Sequence, residues 1–315
     1  MSTKQQVDPE LLPLAETFPS IDFTTVDLTV FREKAAELSI PVDLGAFAVK
    51  KSEVFVPRAD GGSAIRCLLY QPIDRPKRSA AYLQIHGGGY ILGRAEDGER
   101  RNALIASQLG ITVLAVDYRL APEAPYPAGL EDCYAALMWL YANSDELDID
   151  RERIAVGGDS AGGGMAARLC LLAKEKKEPA ICFQLLIYPM LDDRTTAPGA
   201  VMDPNLGEFI WTPENNIFGW AALIGDNDPK DVAPARFESL QGLPPTFICV
   251  GTLDLFLDEN LKYARRLLKD QVPCKLVTYP GAFHGFDLMP NSRMAQRMEQ
   301  DLVLALQTGL ALEPA

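Results

Sequence analysis

"RIAVGGDSAGGGMAARLCLLAKEKK", residues 153–177, decides the fold class. Residues 153–159 read as a short apolar strand that ends in two glycines and an aspartate, and from Ser160 the pattern turns helical. The junction, Gly158-Asp159-Ser160-Ala161-Gly162, has the form G-x-S-x-G between a strand and a helix. So tight a turn needs small residues two places before and two places after the serine. It presents the Ser160 hydroxyl at the strand end. It also leaves the Ala161 N–H at a helix N-terminus, where unpaired donors and the helix dipole favour an anion. A glycine-rich turn that binds phosphate is the plainer use of the same residues.

Outward from this junction the chain repeats the pattern. Apolar runs at 66–72, 79–86, 111–118, 182–189, 246–251 and 275–280 read as strands. Helical spacing occupies 98–109, 128–143, 257–270 and 291–307. Unbroken apolar strands separated by helices predict an α/β fold with a mostly parallel sheet covered on both faces. Such sheets bind ligands beyond the carboxyl ends of their strands. Two regions break the alternation. Residues 1–45 hold a helical pattern, "VFREKAAEL" (30–38), before the first strand. Residues 192–235 form a long insertion containing "WTPENNIFGWAALIG" (211–225), where Thr212-Pro213 signals a helix start and Gly225 a stop. Its large apolar groups, Phe209, Trp211, Phe218 and Trp220, suit either a lid over the strand ends or a helix packed on the core.

At 315 residues the chain can bury a substantial core. A formal charge of −13 argues against sequence-independent binding to nucleic acid or anionic lipid, which needs a basic face. It leaves a neutral small substrate open. The cysteines at 67, 133, 170, 182, 249 and 274 share no C-x-x-C spacing and several lie in apolar runs, so reduced core thiols are expected. Only two histidines are present, which disfavours a thiolate–imidazole metal site, and no metal is expected. The first residues, "MSTKQQVDPELLPL", have no apolar stretch of signal-peptide length, and no run approaches a membrane span. A cytoplasmic location is the expectation.

A serine hydroxyl near neutral pH needs an adjacent base to become a nucleophile. His284, in "YPGAFHGFDL", follows the last strand pattern, and His86 ends an early one. The order in this architecture is serine, then acid, then histidine, and only His284 lies C-terminal to Ser160. The acid that fixes its tautomer should stand at a strand end between the two. Asp254 does so, three residues beyond Gly251. Asp258 and Glu259 fall in the first turn of the next helix, where acids commonly complement the helix dipole. The oxyanion of a tetrahedral intermediate needs preorganised donors. "HGGGY" (86–90) supplies them: Gly88 and Gly89, lacking side chains, can bring their N–H groups close to the reacting oxygen beside that of Ala161. His86 and Gly87 then support the loop, with His86 holding it by a side-chain hydrogen bond.

Together "HGGGY" (86–90), "VDYRLAPEAPYPA" (116–128), "GDSAGGG" (158–164), the Asp254 segment and "FHGF" (283–286) resemble the hormone-sensitive-lipase-like family of α/β-hydrolase esterases, in its bacterial GDSAG subgroup. The resemblance runs from about residue 45 to the end, and "VDPELLPLAETFP" is similar to the N-terminal cap segment of bacterial members. It implies an eight-stranded α/β-hydrolase sheet (46–191 and 236–315) under a helical cap built from 1–45 and 192–235. It implies a serine carboxylesterase for short-to-medium acyl esters without metal or cofactor. Ser160 would be the nucleophile, His284 the base, Asp254 the acid, and Gly88, Gly89 and Ala161 the oxyanion hole. A homodimer, often joined through an edge strand, is implied as well. Tyr90, Asp159, Tyr188, Phe209, Trp211, Phe218 and Trp220 are candidate pocket residues, with core packing as their alternative role. One departure stands out. The family's D-P-L-x-D-E reads "DLFLDE" (254–259) here, so Leu255 replaces a proline and a differently shaped turn is expected after Asp254. The same triad could serve an amidase, deacetylase or formamidase, or a lipase at an oil–water interface. A non-catalytic receptor on this fold, like the plant gibberellin receptor, lacks the histidine that this chain keeps.

Overall fold

The strand and helix patterns assemble around a single sheet in the computed structural model, which describes residues 2–18, 21–37 and 42–313. In chain order the elements are α1 (Leu12–Thr17), α2 (Leu28–Glu37), β1 (Val49–Val56), β2 (Ile65–Pro72), β3 (Ser79–Ile85), α3 (Glu99–Leu109), β4 (Thr112–Val116) and α4 (Ala128–Ala142). They continue with β5 (Ile149–Asp159), α5 (Ala161–Lys176), β6 (Phe183–Ile187), α6 (Pro213–Ile224), α7 (Pro229–Val232), β7 (Thr246–Gly251), α8 (Leu257–Lys269), β8 (Cys274–Tyr279) and α9 (Arg293–Gly309). Leu38, the last residue of the expected helix at 30–38, lies outside the described residues.

The eight strands are ordered β1-β2-β4-β3-β5-β6-β7-β8. β2 alone runs against its neighbours β1 and β4, and every pairing from β4 to β8 is parallel. Central strands β3, β4, β6 and β7 are buried along their whole length, which is why they read as unbroken apolar runs. β1, "VKKSEVFV", escaped the sequence pattern because it is an edge strand whose buried and exposed residues mix along its length. Helices α4, α5 and α8 pack into the core on one face, and α3 and α9 into the core on the other. The order reverses at β3: the chain steps to β4 on one side and then to β5 on the other. The crevice beyond the ends of β3 and β5 is therefore the topological switch point, where ligands of open α/β sheets bind.

The two segments that broke the alternation meet one another. The Asn215 side chain accepts from the Phe23 N–H at 3.2 Å and donates to the Ile21 carbonyl at 2.8 Å. Phe23 packs on Phe31 and on Trp211, with ring centroids 5.3 and 6.1 Å apart. Helix α6 has the ends its sequence signalled. The Thr212 side chain caps it by accepting from the Asn215 N–H, Pro213 opens it, and Gly225 closes it at φ 54°.

Candidate active site

Strand β5 delivers Ser160 at its carboxyl end in a strained backbone, φ 55° and ψ −120°. Such a conformation in a non-glycine residue persists only where its surroundings enforce it. Here the Ser160 N–H donates to the Ile187 carbonyl at 2.8 Å, while its own carbonyl accepts from Gly164 and Met190, each at 3.0 Å. The flanking glycines are sterically required. A Cβ on Gly158 would stand 2.2 Å from the Ile85 carbonyl oxygen, and one on Gly162 2.1 Å from the same atom.

The turns after β7 and β8 bring two further side chains to this point. His284 Nε2 lies 2.9 Å from Ser160 Oγ, and His284 Nδ1 lies 2.9 Å from Asp254 Oδ2. The other carboxylate oxygen of Asp254 accepts from the Phe256 N–H at 2.9 Å. That bond fixes the turn without the expected proline, and Leu255 is buried beside Gly207 of the insertion. Asp254 is fully buried, and Ser160 and His284 each expose only 5% of their surface. The imidazole is held edge-on between the rings of Tyr188 and Phe256, with centroids 4.7 and 5.1 Å away. One hydrogen-bonded line thus runs from a buried carboxylate to a hydroxyl. It can fix the imidazole tautomer so that Nε2 takes the serine proton.

The loop after β3 faces the same serine. Gly88 and Gly89 adopt φ 109° and 60°, and among the described residues no hydrogen-bond acceptor engages their N–H groups or that of Ala161. A Cβ on Gly89 would fall 1.9 Å from Trp211 Cη2, so the indole of the insertion lies directly on this glycine. A Cβ on Gly87 would meet Asp159 Oδ2 at 2.7 Å. His86 is not among the Ser160 contacts. Its Nδ1 lies 2.9 Å from the Gly87 carbonyl oxygen, its ring stacks on Tyr118 at 4.3 Å, and the Tyr118 hydroxyl donates to the His86 carbonyl at 3.0 Å.

The candidate pocket residues divide by environment. Tyr90 is buried against Trp220, and its hydroxyl donates to the Met190 carbonyl at 3.0 Å. Phe209 packs on Phe283, and half-buried Phe218 rests on the core. The Trp211 indole N–H donates to Asn216 Oδ1 at 3.2 Å. Tyr188 donates its hydroxyl to Asp287 Oδ1 at 2.7 Å, and Arg101 bridges from Asp287 toward Asp159, 3.8 Å away. Burial pushes the Asp159 carboxyl above its ordinary value, with Arg101 pulling it back.

A family model described as the alpha/beta hydrolase fold matches residues 82–288, a span that holds all of these side chains. The chain belongs to the α/β-hydrolase family. Carboxylesterase NlhH of Mycobacterium tuberculosis is 33% identical over 292 residues, covering 90% of this chain and 89% of the relative. An arylesterase of Saccharolobus solfataricus is 30% identical and covers 89% and 92%. Among solved structures, a bacterial heroin esterase superposes with a TM-score of 0.87 at 35% identity, covering 98% of this chain and 99% of the other.

Within this α/β hydrolase Glu259 stands in the first turn of α8, as expected, but it has further partners: it is buried, and its Oε1 accepts from the Leu191 and Asp192 N–H groups at 2.6 and 3.2 Å. Its Oε2 shares a hydrogen bond with the Thr195 hydroxyl. Asp258, by contrast, is exposed. Sequence reasoning also missed Arg101 and Asp287. The one available signal was an acid three residues beyond His284, too common a feature to single out.

Proposed function

We propose that this carboxylic-ester hydrolase works through Ser160, His284 and Asp254 and an acyl-enzyme intermediate. The observation that carries the reading is the unbroken Ser160–His284–Asp254 line facing three unengaged N–H donors. Ser160 attacks the ester carbonyl carbon as its proton passes to His284 Nε2, and the carbonyl oxygen becomes an oxyanion between the N–H groups of Gly88, Gly89 and Ala161. The tetrahedral species collapses as His284 returns the proton to the alcohol oxygen. Water, deprotonated by His284, then attacks the acyl-serine, and a second collapse frees the acid and the Ser160 hydroxyl. Asp254 stays ionised throughout and stabilises the imidazolium.

Short-to-medium acyl esters are the proposed substrates. Among the relatives, an ethyl acetate hydrolase of Pseudomonas putida is 30% identical and covers 81% of both chains, which supports small esters. The contacts of Asn215, Phe23 and Trp211 support a cap built from residues 1–45 and 192–235. We also propose a homodimer, paired through an edge strand of the sheet. The six cysteines form no disulfide and support a reducing, cytoplasmic setting. p-Nitrophenyl acetate and butyrate test the mechanism. Wild type should release a burst of nitrophenol equal to the enzyme concentration or turn over steadily, and Ser160→Ala should do neither. Undiminished turnover by Ser160→Ala refutes it.

A further inference from the structure

Five residues of the insertion, 207–211, touch three of the four segments that compose the site, the acid, histidine and glycine loops. The Gly207 N–H donates to the Leu253 carbonyl at 3.1 Å, and a Cβ on Gly207 would meet Leu255 Cδ1 at 2.9 Å, so its backbone is seated on the acid loop. Phe209 packs on Phe283, next to the histidine, with centroids 5.1 Å apart. Trp211 covers Gly89 of the glycine loop. Between these two anchored rings stands Ile210, half-buried, at φ 63°.

A β-branched residue with positive φ is a genuine outlier. The cause is visible in the backbone. The Trp211 N–H donates to the Phe209 carbonyl at 2.7 Å, which closes a three-residue γ-turn around Ile210. The positive-φ form of that turn is rare and strained. Glycine would adopt it without a Cβ penalty, yet the chain places an isoleucine there. Strain of this kind is held where the surroundings over-determine it, and it clusters at ligand sites. Here the enforcement comes from Phe209 and Trp211, whose rings are fixed in different cores.

The direction of the Ile210 side chain gives the strain a use. Its Cδ1 and Cγ2 both lie 3.6 Å from the position a Cβ would take on Gly285, the residue after His284. Resting on the proposed mechanism, the leaving alcohol oxygen must take its proton from His284 Nε2. The carbon group on that oxygen therefore passes the residues bordering the histidine. The acyl group is attached to the carbonyl carbon, which Ser160 and the glycine loop would hold. We infer that Ile210, fixed in its γ-turn, is a specificity-determining wall of the alcohol side and limits the size of the alcohol the enzyme can release.

The test uses two ester series on the purified full-length chain. In one the acyl group is fixed as acetate and the alcohol grows from methanol through butan-1-ol to benzyl alcohol. In the other the alcohol is fixed as p-nitrophenol and the acyl chain grows from acetate to hexanoate. Ile210→Ala should raise kcat/KM for benzyl acetate relative to methyl acetate about tenfold, a size expected when a pocket wall gains several carbons of room. The acyl series should change by less than about twofold. Ile210→Gly should give the same shift in alcohol preference. Because glycine relieves the turn, it should melt no lower than Ile210→Ala. An unchanged alcohol profile, a shift confined to the acyl series, or an Ile210→Gly chain that melts below Ile210→Ala overturns the assignment. Should either variant fail to fold, Ile210→Val, which removes one methyl group, should still move the benzyl-to-methyl ratio upward, and a ratio that stays put counts against the wall. Failure of wild type to hydrolyse any ester overturns the mechanism beneath the inference. An active wild type with unmoved variants overturns the inference alone.

Discussion

Gly89→Ala puts the meeting of the insertion with the glycine loop to a quantitative test. The added Cβ would lie 1.9, 2.4 and 2.8 Å from Trp211 Cη2, Cζ2 and Cζ3. Ordinary carbon–carbon contact is about 3.5–4.0 Å, so the indole or the loop must move by more than about 1.5 Å. Two penalties add. A side chain at φ 60° costs about 1–2 kcal/mol. Overpacking against a buried ring costs about 1–3 kcal/mol more. The expected loss of stability is thus about 2–5 kcal/mol. Displacing the loop also misaims one of the proposed oxyanion donors, which should lower kcat by about 10²–10³ with a smaller change in KM. Thermal unfolding and steady-state kinetics on p-nitrophenyl acetate measure both effects. A second background separates them. In Trp211→Ala the ring is gone, and adding Gly89→Ala there should cost only the backbone part, about 1–2 kcal/mol. A Gly89→Ala enzyme with kcat within about threefold of wild type, or an equal penalty in both backgrounds, would refute the reasoning.

Further outcomes follow from single side chains. Asp254→Asn should lower kcat on the order of 10⁴-fold, whereas Asp258→Asn should leave it near wild type, and the reverse pattern would move the acid assignment. His86→Ala should lower kcat about 10- to 100-fold by letting the glycine loop shift. His284→Ala should lower it on the order of 10⁶-fold, because among the described residues no other base hydrogen-bonds the Ser160 hydroxyl. Burial holds the Glu259 carboxyl well above its ordinary value, so the neutral form is favoured in the folded chain. Its contribution to stability is complete below the unfolded-state value and is lost as the pH climbs through the raised folded-state value. Glu259→Gln keeps an acceptor for Leu191 and Asp192 and a polar partner for the Thr195 hydroxyl without titrating. Its melting temperature should therefore gain on wild type between pH 5 and pH 8, and a gap that stays constant across that range would show that Glu259 does not titrate as argued.

The proposed line was legible because its chemistry is local. A G-x-S-x-G junction names a candidate nucleophile, and a chain with two histidines leaves one on the correct side of it. Asp254 could be read from its distance past a strand end. The strand order and the β1 edge could not, since pairing is set by distant residues and β1 exposes Phe55 along with Lys50, Lys51 and Glu53, which blurs the alternation. Leu255 illustrates a different limit. The missing proline signalled a changed turn, but the sequence did not say that the Phe256 N–H holds Asp254 or that Leu255 seats Gly207. Glu259 looked like a helix-start acid because burial depends on what packs above it. Ile210 gave no sign at all: positive φ is read from glycine or asparagine, and an isoleucine conceals it.

The position of Trp211 on Gly89 also bears on the order in which this enzyme matures as it folds. Strands β3, β5, β6, β7 and β8 lie side by side and carry Ser160, Asp254 and His284, whereas Trp211 comes from the insertion between β6 and β7, so the strands could in principle pair before that indole lands. Such a chain would have a complete proton path and an unseated glycine loop. After dilution from denaturant, the circular dichroism of the sheet should return ahead of esterase turnover. The lag between them would time the landing of one indole.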